Sequence, residues 1–285
     1  MRRGGLPLGR GLRLPSGGPT AVMAILNITP DSFSDGGLLT SIDAVVAQAR
    51  TARDEGAVIL DVGGESTRPQ AAAVDEAEEL RRVIPVIDAL RDRVGLPISI
   101  DTTKASVFRE AYLRGASMLN DVSGLSLDPE MGAALAATDA AAVLMHRRGT
   151  PATMQSLATY ADVGAEVAAE LAACVGRAEA AGVSRDRLIL DPGIGFAKVP
   201  SQNFELLRRL DELRVHGLPL CVGPSRKAFL GAVTGRTVPR ERDAATAVVV
   251  AACAAAGVEL VRVHHPGYAR DAVAVANALK VGIAP

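Results

Sequence analysis

Short apolar runs alternate with longer amphipathic segments along nearly the whole chain. The short runs are Ala21–Leu26, Ala57–Val62, Ile98–Asp101, Ser117–Asp121, Ala141–His146, Leu188–Asp191, Leu220–Gly223 and Glu259–His264. They are rich in Val, Ile and Leu with little internal alternation, which predicts parallel strands covered on both faces. Between them the period lengthens. Ile42, Val45, Val46, Ala49 and Ala52 share one helical face, and Thr40 with Asp43 predicts a capping box at its start. Leu80, Val83, Ile84, Ile87 and Leu90 form a second stripe, in which Pro85 is expected to bend the helix. Val163, Val167, Leu171, Cys174 and Ala178 form a third.

Eight strands, each followed by a helix, predict an α/β fold of the (β/α)8 barrel type, with residues 21–285 as a single domain. An open doubly wound sheet is the alternative. That fold would usually carry a Gly-rich phosphate turn after its first strand, and Asn27-Ile-Thr-Pro-Asp-Ser32 is not one. The Gly/Pro-rich lead, residues 1–20, is expected to add a strand pair that caps the barrel floor.

The strand ends carry the candidate chemistry. Nearly every run closes on a polar residue: Asn27, Asp61, Asp101, Asn120 with Asp121, His146, Asp191 and His264, while Ser225-Arg226-Lys227 follows the seventh. In a barrel these positions converge on the C-terminal mouth, where such enzymes hold their active sites. One strand-end Asp is more often a helix cap or loop hydrogen-bonder, but loop solvation does not require a polar residue on almost every strand. Asp101, Asn120 and Asp191 suit a flat heterocycle with several N–H donors, although the turn Pro192-Gly-Ile-Gly195 gives Asp191 a structural alternative. Arg226, Lys227, Arg262 and His264 stand after the seventh and eighth strands, where barrels commonly bind phosphate. Arg262 alternates with Val261 and Val263, so it points either into the barrel or toward the helices, and in either apolar place it needs a ligand or a carboxylate. Two long polar loops, Asn27–Leu39 and Gly63–Val74, have the length of functional lids. With no Cys/His cluster, any metal is expected to be a hard cation brought with phosphate, namely Mg²⁺.

Composition narrows the classes further. A net charge of -1 over 285 residues excludes the basic footprint of a nucleic-acid binder, and 48% hydrophobic content excludes a disordered chain. No run approaches a membrane span, and Gly and Pro interrupt any would-be secretory core in the first twenty residues. Cys174, Cys221 and Cys253, odd in number and far apart, read as buried free thiols in a reducing compartment, so a cytoplasmic location is expected.

The sequence resembles dihydropteroate synthase, of the folate pathway, over nearly the whole chain. The resemblance rests on Met23-Ala-Ile-Leu-Asn-Ile-Thr-Pro-Asp-Ser-Phe-Ser-Asp-Gly-Gly37, Gly64-Glu-Ser-Thr-Arg-Pro69, Ser99-Ile-Asp-Thr102, Asn120-Asp-Val-Ser-Gly124, Asp191-Pro-Gly-Ile-Gly-Phe196 and Ser225-Arg-Lys227, in the family's order. It implies a barrel enzyme that joins 6-hydroxymethyl-7,8-dihydropterin diphosphate to 4-aminobenzoate, releasing diphosphate and forming 7,8-dihydropteroate. By likeness, Asp101, Asn120, Asp191 and Lys227 hold the pterin. Asn27 meets Mg²⁺ on the diphosphate, and Arg262 with His264 takes the anion. Thr67, Arg68, Pro69, Phe33, Phe196 and Ser225 frame the aminobenzoate, and Asp101, Lys227 and Arg262 are the implied catalytic set. A homodimer is also implied, for which the Ala/Val-rich stretch Ala244–Ala256 offers an apolar helix face, though such a stretch serves equally as a helix packed on the barrel. The chemistry is expected to be dissociative, with diphosphate leaving before the weakly basic amine attacks.

Some positions depart from the family pattern: Gln70 and Ala197 stand where Gly is common, Arg147 where Met is usual, and His264-His265-Pro266 where His-Asp-Val is frequent. Three rivals compete. A folate-dependent methyltransferase barrel shares the pterin acids but needs no diphosphate pocket. A non-catalytic pterin-binding paralogue would have no use for the cations. An aldolase-like barrel would use Lys227 as a Schiff base.

Overall fold

A computed structural model of the chain describes residues 5–15, 17–28, 37–66, 74–150 and 152–282. An antiparallel pair, β1 (Leu6–Gly9) and β2 (Leu12–Leu14), precedes eight parallel strands. These are β3 (Ala21–Asn27), β4 (Ile59–Gly63), β5 (Ile98–Asp101), β6 (Met118–Asp121), β7 (Ala141–Met145), β8 (Leu188–Asp191), β9 (Cys221–Val222) and β10 (Leu260–Val263). Their order in the sheet is β8-β7-β6-β5-β4-β3-β10-β9. A parallel bridge between Leu190 and Leu220 then joins β8 to the start of β9, and the sheet closes into a barrel rather than ending in two open edges. The predicted strands lie within two residues of those observed.

The helices are α1 (Gly37–Asp54), α2 (Glu76–Arg93), α3 (Ala105–Arg114), α4 (Met131–Ala136), α5 (Val163–Ala180), α6 (Pro200–Arg208), α7 (Ala228–Thr234), α8 (Asp243–Ala255) and α9 (Pro266–Val281). Two are opened by side-chain N-caps: Asp75 accepts from the Glu78 amide at 2.8 Å and Asp162 from the Ala165 amide at 2.9 Å. α1 starts at Gly37, three residues before the expected Thr40, whose side chain lies outside the described ones; Asp43 pairs with Arg93 at 2.6 Å. α2 runs on through Pro85 as one helix.

Strand alternation sorts the apolar residues into two cores. Val22, Leu60, Val62, Ile100, Leu119, Leu144 and Val261 face the helices. Met23, Ile59, Met118, Val143, Ile189, Cys221 and Leu260 fill the lower barrel, and the strand pair seals that floor with Leu6 and Leu8. Each large side chain so buried contributes about 1.5–3 kcal/mol. Gly9 fits this plug only as glycine, since its φ is +78° and a Cβ there would stand 2.1 Å from the Ser117 carbonyl oxygen. Above the apolar layer the same inward face turns polar, and the site begins there.

Candidate active site

Register puts four strand ends at one level. Asn27 pairs with Gly63, Gly63 with Asp101, and Asp101 with Asn120. Arg262 shares the inward face of Leu260 and crosses the barrel: Nε donates to Asp61 Oδ2 at 2.5 Å and Nη2 to Asp101 Oδ2 at 2.7 Å. The Asn120 amide donates to the same Asp61 oxygen at 3.1 Å. Asp61 has no side-chain exposure and Arg262 retains 20%. Burial would lower the Arg262 pKa, but the two acids override it and hold the guanidinium charged. Burial pushes Asp101 upward, and Arg262 offsets only part of that rise.

The other half of the mouth belongs to β8 and the turn after β9. Asp191 accepts from the Gly193 amide at 2.7 Å, and burial raises its pKa against the pull of Lys227. Lys227 donates to the Ile194 carbonyl and its Nζ lies 4.7 Å from the Phe196 ring centroid. Burial brings its pKa down to about 8, opposed chiefly by Asp191. A Cβ placed on Gly223 would stand 3.9 Å from the Asp191 carboxylate, the Lys227 ammonium and the Arg262 Cβ alike. Acids and bases far apart in sequence therefore meet around one glycine. Ser225 Oγ shares a hydrogen bond of 2.9 Å with His264 Nδ1 and accepts from the His264 amide at 3.1 Å, tying the ends of the last two strands together.

Two sequence expectations are corrected here. Arg226 is not available to an anion, because its Nε and Nη2 make a two-point pair with Asp243 at 2.6 and 2.7 Å. Lys227 stands beside Asp191, among the acids to which the resemblance assigns it, so it is the grouping of Lys227 with Arg226 as a phosphate-binding pair that gives way. Asp121 takes the structural alternative, accepting from the Ser123 and Leu125 amides at 2.7 and 2.8 Å. Phe33, Thr67, Arg68, Pro69 and Gln70 lie outside the described residues. Among the described residues, no group of three His, Cys, Asp or Glu could hold a metal.

Residues 23–264 match the family described as pterin binding enzyme. The chain belongs to that family. This pterin binding enzyme is 47% identical over 274 residues to dihydropteroate synthase of Synechocystis, covering 96% of this chain and 94% of that one. The dihydropteroate synthase of Xanthomonas albilineans, solved with 4-aminobenzoic acid, superposes with a TM-score of 0.86 at 43% identity, over 94% of each chain. That of Burkholderia cenocepacia, complexed with 7,8-dihydropteroate, gives 0.86 at 38% identity over 98% of each.

Of three further residues near the mouth, Asp61 and His146 stand among the polar strand ends without an assigned role, and Lys198 is not singled out by the sequence. Asp61 was visible as a polar residue near a strand end, but it sits mid-strand and its partner Arg262 is 201 residues away. His146 and Lys198, both buried, bond to each other at 2.9 Å beneath the loop after β8. A lysine inside the apolar segment Gly195-Phe-Ala-Lys-Val199 was the available signal.

Proposed function

We propose that the chain catalyses the dihydropteroate synthase reaction, condensing 6-hydroxymethyl-7,8-dihydropterin diphosphate with 4-aminobenzoate to give 7,8-dihydropteroate and diphosphate. The observation that carries the residue assignment is the Asp61–Arg262–Asp101 bridge, set in the same mouth as Asp191 and Lys227. Asp101, Asn120 and Asp191 present acceptors to the N–H edge of a pterin, and Lys227 faces the ring from the Asp191 side. Arg262 commits Nε and Nη2 to its acids, while Nη1 makes no hydrogen bond to a described residue and serves the anion together with His264. Ser225 and Phe196 frame the aminobenzoate side, joined in this reading by Phe33, Thr67, Arg68 and Pro69.

Asn27 is exposed at the end of β3 and offers an amide oxygen, a hard donor. That single ligand fits Mg²⁺ held mainly by the diphosphate itself. When bound, Mg²⁺ stabilises the charge of the departing diphosphate. The carbon left behind is electron-poor, and Asp101 supplies the carboxylate that steadies it until the amine attacks. Burial lowers Lys227 to about 8, as a Schiff-base lysine would need, but its Nζ is engaged by the Ile194 carbonyl and faces Asp191, which favours the ammonium.

A homodimer is the assembly we infer. Val248 on α8 and Val275 and Leu279 on α9 are 71%, 59% and 85% exposed on two helices that pack together, which supports an apolar face there. The three cysteines are free and buried, as suits a reducing cytoplasm, and no helix among the described residues is long and apolar enough to cross a membrane.

The test is to incubate purified protein with pterin diphosphate, 4-aminobenzoate and Mg²⁺. Dihydropteroate should form, should stop forming when the metal is chelated, and should be lost in Lys227→Ala and Arg262→Ala while both variants remain folded. Full activity in either variant overturns the assignment of that residue.

A further inference from the structure

The loop between β8 and α6, residues 192–199, is held by side chains rather than by regular backbone pairing. Gly193, Gly195 and Ala197 all have positive φ, at +66°, +85° and +47°, which turns successive carbonyls toward the protein. Buried carbonyls need donors. Lys198 Nζ donates to Gly193 O, which also accepts from the Phe196 amide, and to Phe196 O, at 3.0 Å each, and its third contact is His146 Nδ1 at 2.9 Å. Tyr160 donates to Ala197 O at 3.0 Å, and Asn203 accepts from the Gly195 amide at 2.6 Å.

The proton positions follow from the partners. His146 Nε2 lies 2.9 Å from Glu170 Oε2, and a carboxylate there requires Nε2–H. Burial, with Lys198 nearby, holds the ring down to about 4, so it is neutral and Nδ1 is an acceptor. Three acceptors around Lys198 then demand three N–H bonds, which only the ammonium has. Burial draws Lys198 down to about 7 while Asp191 supports its charge. Glu170 is fixed in turn by Arg148, whose Nε reaches Oε1 at 2.9 Å and whose guanidinium lies 4.0 Å over the Tyr160 ring. The network spans β8's loop, the end of β7 and α5. Lys198 is 3% exposed, and its three N–H bonds are all taken by protein acceptors.

We infer that Lys198, seated on His146, is a positioning residue for the aminobenzoate side of the site: it fixes the loop from which Phe196 faces the mouth. This deepens the proposed reaction and rests on it. Phe196 depends wholly on the loop, whereas Asp101 and Asn120 stand on other strands and Asp191 on β8 itself; Asp191 and Lys227 each make one contact to the loop, from the Gly193 amide and to the Ile194 carbonyl, so the pterin side feels its movement less. The two substrates should therefore respond unequally to loss of the tether.

The test compares Lys198→Met, His146→Leu and His146→Asn with the wild-type chain, the Asn oxygen standing where Nδ1 accepts. Two quantities are read: amide hydrogen exchange across residues 192–199, and KM for each substrate. In Lys198→Met and His146→Leu, exchange should quicken on the order of tenfold. KM for 4-aminobenzoate should rise on the order of tenfold or more, with the pterin KM within roughly threefold of wild type. His146→Asn should lie closer to wild type in both. Unchanged exchange in Lys198→Met overturns the tether, and equal rises in both KM values overturn its assignment to the aminobenzoate side. Should Lys198→Met fail to fold, the His146 pair decides: an Asn variant no nearer wild type than the Leu variant overturns the inference. A wild-type chain that makes no dihydropteroate sinks the reaction, and the exchange measurement alone then decides the tether.

Discussion

Replacing Arg262 with Met tests the central electrostatic arrangement through stability, apart from activity. The side chain keeps its apolar stem but leaves Asp61 and Asp101 facing each other with 0% and 8% side-chain exposure. Removing one partner of a buried ion pair costs about 3–5 kcal/mol, because the remaining charge is buried without compensation. Here that charge can be neutralised by protonation. Burial already raises Asp101 with the guanidinium present, and losing Arg262 removes the main influence that lowers it. A carboxyl whose folded pKa exceeds its unfolded value adds stability that is complete below the unfolded pKa and lost as pH rises through the folded one. The deficit of Arg262→Met relative to wild type should thus be largest at pH 8 and shrink by ~1.4 kcal/mol per pH unit only down to about 7, where Asp101 of the wild type takes up its own proton, and stay level below that. With an unfolding entropy of about 0.6 kcal/mol per kelvin for a chain of this size, the loss at pH 8 is about 5–8 °C in Tm. Thermal unfolding at pH 5 and pH 8 reads it, and Asp61→Asn in the Arg262→Met background should recover part of the loss at pH 8 only. An equal Tm deficit at both pH values refutes the reasoning.

Two further outcomes follow from the same geometry. The profile of kcat/KM against pH should be bell-shaped: it falls above about 8 as Lys227, lowered by burial, loses its proton, and falls on the acid side as Asp101 and Asp191, raised by burial, take theirs. Lys227→Arg, if it binds substrate, should carry the alkaline limb upward, since a guanidinium does not titrate there. Gly193→Ala places a Cβ 1.9 Å from the His146 carbonyl oxygen at φ +66°, whereas Gly11→Ala meets nothing within 4 Å at φ +72°. Urea unfolding should show the second losing about 1–2 kcal/mol from backbone conformation alone and the first losing clearly more; equal losses would mean that the loop yields freely.

The barrel was legible because parallel strands covered on both faces must be apolar throughout, and eight such runs separated by helical periods leave few alternatives. That same property concealed the site's orientation. Residues 260, 262 and 264 plainly share a face, but with Leu260 on one side and Val261 and Val263 on the other, hydrophobicity does not say which face is inside. Asn120 and Asp121 show the consequence: neighbours of similar polarity, one turned into the mouth and the other spent on the Ser123 and Leu125 amides. Arg226 and Lys227 divide in the same way, because a φ of +59° at Arg226 sends the first to Asp243 while the second turns to Asp191. The Asp61–Arg262 contact lies further out of reach, since no local period relates residues 201 apart and only closure of the sheet brings β10 beside β3 and within reach of β4. Which polar residues the mouth contains is therefore a local property of the strand ends. Which of them oppose one another is a property of closure, and it is that opposition that sets the charge of Arg262, the proton of Asp101 and the place of Lys227.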